Sequence, residues 1–240
     1  VRDSVNDIVD KQFGQIYKYD LTVMAKDESW ATDENLLQTI TDSGSTYLPI
    51  CDVNADVRFA DGKQTVIFCV PQADRQNEFD KFITLRTRKG GNKIDFPTDG
   101  VVLTEKLAET LGVNIGDEVT LQIDGVGGSA TVTGITENYV SAYCYMSDAT
   151  YRKLYNAAPK YTSLLVASGS DRDEQSFMTE LMAFDSVLYV NSAATLRDNF
   201  DKSIGSINGV ILVLILAAGL LSMVVLYNLT NVNICERRKE

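Results

Sequence analysis

The stretch GVVLTEKLAETLGVNIGDEVTLQIDGVGGSATVTGI, residues 100–135, carries the most regular pattern of the chain and decides its fold class. A short apolar strand leads to Thr104, which suits the cap before a helix, and Gly112 suits the end of that helix. Val119 and Leu121 then alternate with polar residues, as in a half-buried strand. The DGVGG segment that follows predicts a hairpin turn. A strand, a helix and a hairpin in this order indicate a mixed α+β domain.

The pattern on both sides of this stretch is also mixed. The sequence predicts strands at 20–25, on either side of the Asp61-Gly62 turn, at 163–168 and at 186–190, and helices at 33–41, 148–156 and 173–183. The glycine-rich segment 88–93 predicts a turn between extended segments. We therefore expect an α+β domain over residues 20–192, organised as one body or as two lobes.

The composition excludes several classes of function. The 240 residues carry a net charge of −11, whereas a nucleic-acid-binding protein needs a basic face. The chain has no histidine, which removes the commonest general base and the usual zinc ligand. Cys51, Cys69, Cys144 and Cys235 form no CxxC motif. We expect free, partly buried thiols, with one disulfide among the first three as the alternative.

One acidic segment has the spacing of a calcium loop. Asp52, Asn54 and Asp56 are placed like the first ligands of an EF-hand, but the sixth position is Val57 and the twelfth is Lys63. The loop therefore lacks the glycine turn and the bidentate glutamate that bind Ca²⁺. We interpret the segment as the polar face of a strand.

The remaining candidates for chemistry also have structural explanations. Asp171, Asp173 and Glu174 lie where a helix is predicted to begin, and carboxylates stabilise helix N-termini. The glycine turns at 88–93 and 124–130 lack the GK[ST] of a phosphate loop. The sequence thus predicts no catalytic, cofactor-binding or metal-binding residues, and we expect that the chain is not an enzyme.

A long apolar segment, INGVILVLILAAGLLSMVVLY at 207–227, follows the domain. No charged residue occurs between Ser203 and Cys235, and about 20 apolar residues suffice for a membrane-spanning helix. The basic residues after it predict a cytoplasmic anchor in the segment 228–240, formed by Arg237, Arg238 and Lys239. Residues 1–206 would then lie outside the cytoplasm, and membrane lipid would surround the span.

Two apolar stripes flank the domain. One contains Val5, Ile8, Val9, Phe13 and Ile16, and the other contains Leu196, Phe200, Ile204 and Ile207. They predict stalk helices over 1–19 and 193–206; the alternative is that each stripe covers the core. Gly205 and Gly209 form a GxxxG pattern, which allows close packing of helices in lipid.

Two stretches resemble a known family. LTEKLAETLGVNIGDEVTLQIDG resembles the outer domain of MacB-like ABC transporter permeases, and VLYNLTNVNICERRKE resembles the end of the second membrane helix of FtsX-like permeases. In the second motif the matching residues are Asn228, Asn231, Glu236, Arg237 and Glu240. The resemblance implies that the chain corresponds to the outer domain and the second membrane helix of a longer permease.

The resemblance also implies a function and partners. A cytoplasmic ABC ATPase subunit would hydrolyse ATP, and the stalk helices would move the outer domain, a mechanism called mechanotransmission. The substrate would be a peptide, a drug or a lipid-linked molecule, or the domain would regulate an outer protein partner. The remaining membrane helices of the same permease would be further partners, in a bacterial cell membrane. The alternative function is a membrane-tethered binding or sensor domain without an ATPase.

Overall fold

The computed structural model describes the backbone of residues 2–168 and 173–237, and the side chains of this part except those of residues 2–6, 200, 201, 203–212 and 228–237. The chain divides into two compact units, Val1–Leu196 and Arg197–Glu240. The first unit contains the α+β domain, and most of the second is one helix.

The helices alternate with strands along the first unit. The α-helices are α1 (Arg2–Lys11), α2 (Glu34–Asp42), α3 (Glu105–Leu111), α4 (Asp148–Tyr155), α5 (Glu174–Met182) and α6 (Ala193–Arg237). A π-helical turn, Gln12–Ile16, follows α1, and 3-10 helices occur at Glu28–Thr32 and Ala73–Lys81.

The strands form one nine-stranded sheet. They are β1 (Leu21–Ala25), β2 (Thr46–Phe59), β3 (Gly62–Pro71), β4 (Val101–Thr104), β5 (Glu118–Ile123), β6 (Val126–Thr136), β7 (Tyr143–Tyr145), β8 (Ser163–Ala167) and β9 (Val187–Ser192). Their order is β3-β7-β4-β6-β5-β2-β8-β1-β9, with an additional pairing between β3 and β2.

That additional pairing closes six of the strands into a small barrel. β3 pairs with both β2 and β7, so the order β2-β3-β7-β4-β6-β5 returns to β2. Apolar side chains fill the barrel, and Phe68, Leu103 and Leu121 among them are fully buried. Leu107 of α3 joins the same cluster. Closure gives each barrel strand a partner on both sides over part of its length.

The long strand β2 also belongs to a second layer. Its first part pairs with β8, and its last part pairs with β5 of the barrel. From β8 the sheet continues antiparallel through β1 to β9. α2 and α5 supply Leu36, Ile40, Phe177 and Leu181 to the core against Val23. A third cluster, which includes Ile16, Tyr17, Phe79 and Phe82, packs against Leu48 and Ile50 of β2 and Leu165 of β8.

The mixed α+β class predicted from the sequence is confirmed. The strands and helices predicted over residues 20–192 are present, with boundaries shifted by one or two residues, whereas the helical part of the segment predicted as a stalk over 1–19 ends at Ile16. Gly112 adopts the left-handed conformation that ends α3, with φ of 73°. Asp124 and Gly125 both have positive φ in the hairpin between β5 and β6.

The predicted cap position is confirmed. Thr104 occupies the cap position before α3, although its side chain makes no capping hydrogen bond. Its hydroxyl instead accepts a hydrogen bond from the backbone N–H of Tyr143, at 3.2 Å. The side chain therefore adds a bond between the neighbouring strands β4 and β7.

The predicted membrane segment lies inside α6, which runs without a break from Ala193 to Arg237. The large apolar side chains described between Val213 and Tyr227 are exposed. Within the described residues, no helix is both long enough and apolar enough to cross a membrane.

Candidate coupling site

The N-terminal segment joins the domain by backbone hydrogen bonds. After the π-helical turn, Tyr17 forms an antiparallel bridge with Ile83. Thr84 donates its N–H to the carbonyl of Ile16 at 2.9 Å, and Lys18 donates to Phe82 at 2.8 Å. Residues 16–18 thus act as a short extra strand beside residues 82–84, and the buried rings of Tyr17 and Phe82 anchor it.

The C-terminal helix leaves the domain next to the point where the N-terminal segment arrives. Ser192 ends β9, and its hydroxyl oxygen accepts a hydrogen bond from the N–H of Thr195 at 3.2 Å, which caps α6. The N–H of Ala193 donates to the carbonyl of Asp20 at 2.7 Å. Because Leu21 pairs with Ser192, the start of β1 and the start of α6 are fixed together.

A buried amide pair holds the π-helical turn against the loop after β6. Gln12 is 1% exposed, and its Nε2 donates to Oδ1 of Asn138 at 2.9 Å. Its Oε1 accepts the backbone N–H of Tyr139 at 2.8 Å. Asn138 in turn donates to the carbonyl of Ser141 at 2.8 Å. Each buried polar group of the Gln12 amide therefore has a partner, as burial requires.

A buried ion pair supports the same junction. Arg86 Nε lies 2.8 Å from Glu137 Oε2, with the two side chains 15% and 3% exposed. The other end of the guanidinium donates to Oε1 of Gln15 at 2.6 Å. The hydroxyl of Tyr139 also hydrogen-bonds Glu137. The pKa of Tyr139 is raised to about 12, mainly because the phenol is partly buried and also because it hydrogen-bonds Glu137. This phenol therefore remains a donor at neutral pH.

These residues were not identified in the sequence, although one signal was present. Gln12 lies between Val9 and Ile16 on the apolar stripe, three and four residues from them. A polar residue at that spacing faces the core and needs a buried partner. The structure places Val9 and Ile16 in the core as well, whereas the side chain of Val5 lies outside the described residues.

The residues predicted to transmit motion lie on α6. Leu196 is in its first turn, with 43% of its surface exposed. The side chains of the other predicted residues, Phe200, Ile204, Gly205, Ile207 and Gly209, lie outside the described residues. Of the predicted anchor, Arg237 ends α6, and Arg238 and Lys239 lie outside the described residues. Their proposed roles therefore stay predictions.

The acidic positions considered for chemistry are structural where they are described. Asp56 lies on β2 and pairs with Lys63 at 2.8 Å. Asp173 caps α5 by accepting the N–H of Ser176 at 2.9 Å, and Asp171 lies outside the described residues. Across the described part of the chain, no three His, Cys, Asp or Glu side chains are grouped to hold a metal ion.

The prediction of free thiols is confirmed for the cysteines described. Cys51, Cys69 and Cys144 are buried and form no disulfide. Burial raises the pKa of Cys51 to about 11 and that of the other two further. They are therefore protonated at neutral pH and behave as small apolar side chains.

No protein-family model and no curated protein sequence matches the chain. Several solved structures are similar to it, including the following three. The extracellular domain of the ABC-type transporter YknZ from Gram-positive bacteria has 13% identity and a TM-score of 0.45, over 72% of this chain and 98% of that domain. The periplasmic region of MacB from Actinobacillus actinomycetemcomitans has 13% identity and a TM-score of 0.45, over 80% of this chain and 97% of that region. A domain assigned to a permease protein from Porphyromonas gingivalis has 12% identity and a TM-score of 0.35, over 69% of this chain and 81% of that domain.

Proposed function

We propose that the chain is the extracytoplasmic domain of an FtsX-like ABC transporter permease, with its second membrane helix attached. A cytoplasmic ATPase subunit would supply the energy, and motion of the membrane helices would move the domain. The cargo would be a peptide, a drug or a lipid-linked molecule, or the motion would regulate an outer protein partner. The observation that carries this proposal is the bond between Asp20 and Ala193, which joins the two ends of the domain.

The apolar segment supports a membrane location. Residues 207–227 in a helix extend roughly 30 Å, which is the thickness of the hydrocarbon core of a bilayer. Within this segment, the described side chains of Leu214, Leu221 and Met223 are 62%, 67% and 70% exposed. So many contiguous exposed apolar side chains require a cover, and lipid provides one. In this proposal Arg237, Arg238 and Lys239 hold the inner end in the cytoplasm.

The junction suits the transmission of force. A pull on α6 acts first on Ser192 and Ala193, which pair with β1. A displacement of the N-terminal segment acts on the same end of that strand, and Gln12 and Arg86 tie the segment to the barrel. Because buried hydrogen-bond networks have discrete arrangements, the domain would move as a body instead of yielding locally.

The proposal is tested on the full-length protein purified from its own membrane in a mild detergent. We expect an ATP-binding subunit to copurify, and we expect its ATPase rate to change when the permease is removed. A protein that purifies without an ATPase, in several detergents, would contradict the proposal. That outcome would favour the membrane-tethered sensor, which needs only one membrane helix and a ligand site.

A further inference from the structure

A cavity of about 200 Å³ opens between the 3-10 helix Ala73–Lys81 and residues 93–98. Apolar side chains line it from both of these segments and from the residues between them: Phe79, Ile83, Leu85, Ile94 and Phe96. The rings of Phe79 and Phe96 lie 4.5 Å apart at an angle of 49°. Ile83 and Leu85 belong to the buried cluster, so the wall is part of the packed core and is preformed.

The mouth of the cavity is polar and acidic. Asp80 and Asp95 both line it, together with Lys93, Gln76, Asn77 and Thr98. Lys93 Nζ lies 2.6 Å from Asp80 Oδ2, so the lysine offsets one of the two carboxylates. This ion pair lowers the pKa of Asp80, which keeps that carboxylate charged. Lys18 also contacts Asp80, donating from Nζ to its backbone carbonyl at 2.9 Å, so the exposed carboxylate of Asp95 is the acidic group of the lining that would meet a basic ligand.

The size of the cavity limits what can enter it. Sites for whole drug-sized molecules measure about 300–1,000 Å³, so this cavity admits a part of a larger molecule, such as one side chain. An aromatic ring suits the Phe79 and Phe96 pair, because aromatic rings prefer tilted or offset contacts. A positive charge beside that ring suits the acidic mouth and the net charge of −11.

We propose that this cavity binds a peptide through an aromatic side chain, with an adjacent Arg or Lys at the acidic mouth. The site goes beyond the coupling function, since it names the chemistry of a ligand. Its position connects it to the junction: Ile83 bridges Tyr17, and the N–H of Ile94 donates to the carbonyl of Leu85 at 2.8 Å. Only this connection rests on the proposed transport function; binding itself does not.

The test uses the 240-residue chain in detergent micelles and three blocked dipeptides. The probe is N-acetyl-Phe-Arg-amide, and binding is measured by calorimetry and by chemical-shift changes of Phe96 and Ile94. N-acetyl-Phe-Glu-amide changes only the charge, and N-acetyl-Gly-Arg-amide removes only the ring. We expect the first probe to bind about tenfold more tightly than either of the others.

Two variants locate the site. Asp95→Lys reverses the charge at the mouth and should weaken binding of N-acetyl-Phe-Arg-amide about tenfold. Asp74→Lys makes the same change on the 3-10 helix Ala73–Lys81, at a position that does not line the cavity, and should leave binding within about twofold. Equal binding of the three dipeptides, no binding at millimolar concentration, or equal loss in both variants would overturn the proposal. Binding as expected with no ATPase partner would keep this site and reject the transport function.

Discussion

The backbone N–H of Ala193 donates a hydrogen bond to the carbonyl oxygen of Asp20 across 2.7 Å. This bond joins the last residue before β1 to the first residue of α6, although the two are far apart in the sequence. The two segments that flank the domain therefore attach to one place on the sheet. If the domain is moved from the membrane, this bond lies on the path of the force.

A proline at position 193 removes this bond selectively. Proline has no N–H but is well tolerated at the first position of a helix, so Ala193→Pro should leave α6 intact. We expect a loss of stability of about 1 kcal/mol and a weaker coupling between ATPase rate and transport. The coupling is measured on the full-length protein with its ATPase.

The matched control is Ala194→Pro, one residue further along the same first turn. Its N–H is not the one that reaches Asp20, and proline is also tolerated in the first turn of a helix. We expect this variant to keep normal coupling. If both variants couple normally, the bond between Asp20 and Ala193 has no role in transmission.

The buried amide of Gln12 should contribute strongly to stability. Gln12→Leu keeps the size of the side chain but leaves the N–H of Tyr139 without its acceptor and Oδ1 of Asn138 without its donor. Because unsatisfied buried polar groups are costly, we expect a loss of about 2 kcal/mol in the free energy of unfolding. The single tryptophan, Trp30, is buried and reports unfolding by fluorescence.

Gln38→Leu is the control for that change. Gln38 lies on α2 with its side chain exposed, so the same substitution there should change stability by less than about 0.5 kcal/mol. A double-mutant cycle with Asn138→Ala should show coupling between positions 12 and 138. Additive effects of the two changes would mean that the amide pair is not a stabilising contact.

Two aspartates on one strand should respond to pH in opposite directions. Burial raises the pKa of Asp52 above its usual value, whereas hydrogen bonding to Lys63 lowers the pKa of Asp56. Between its unfolded and folded pKa, Asp52 binds more protons in the folded state, so its contribution to stability falls as pH rises through that window. For Asp56 the contribution is present above the unfolded pKa and is lost as pH falls through the folded value.

Substitution by asparagine at each position tests this contrast. At neutral pH, Asp52→Asn should stabilise the chain and Asp56→Asn should destabilise it. Both differences from the parent protein should shrink as the pH falls into the range where the carboxylates are protonated. Unfolding curves at several pH values measure them, and effects of the same sign at neutral pH would contradict the environments of these two residues.

Local chemistry explains why the sequence predicted the elements well. Gly112 ends α3, and the Asp124-Gly125 turn sets the hairpin, because each position needs a positive φ that these residues accept. Val119 and Leu121 alternate with polar residues along β5, and this alternation marks the buried face of the strand. Such signals lie within a few residues of the structure they determine, and one sequence suffices to identify them.

The closure of the barrel could not be predicted in this way. It depends on the parallel pairing of Ile67 and Phe68 with Tyr143 and Cys144, residues that are distant in the sequence. No local pattern marks that contact, and β7 is only three residues long. The coupling site was missed for the same reason, because Gln12 meets Asn138 only after the chain has folded.

A glycine in the membrane segment provides the last test of the transport function. If Gly205 and Gly209 pack closely against a neighbouring helix in lipid, Gly209→Leu should prevent that approach. We expect normal expression and ATPase binding but a loss of most transport activity. Gly219→Leu is the control, because Gly219 lies in the same apolar helix and a Cβ there meets open space. Full activity in a well-expressed Gly209→Leu protein would show that this glycine is not a helix contact, and equal loss in both variants would point to a general effect on the membrane helix.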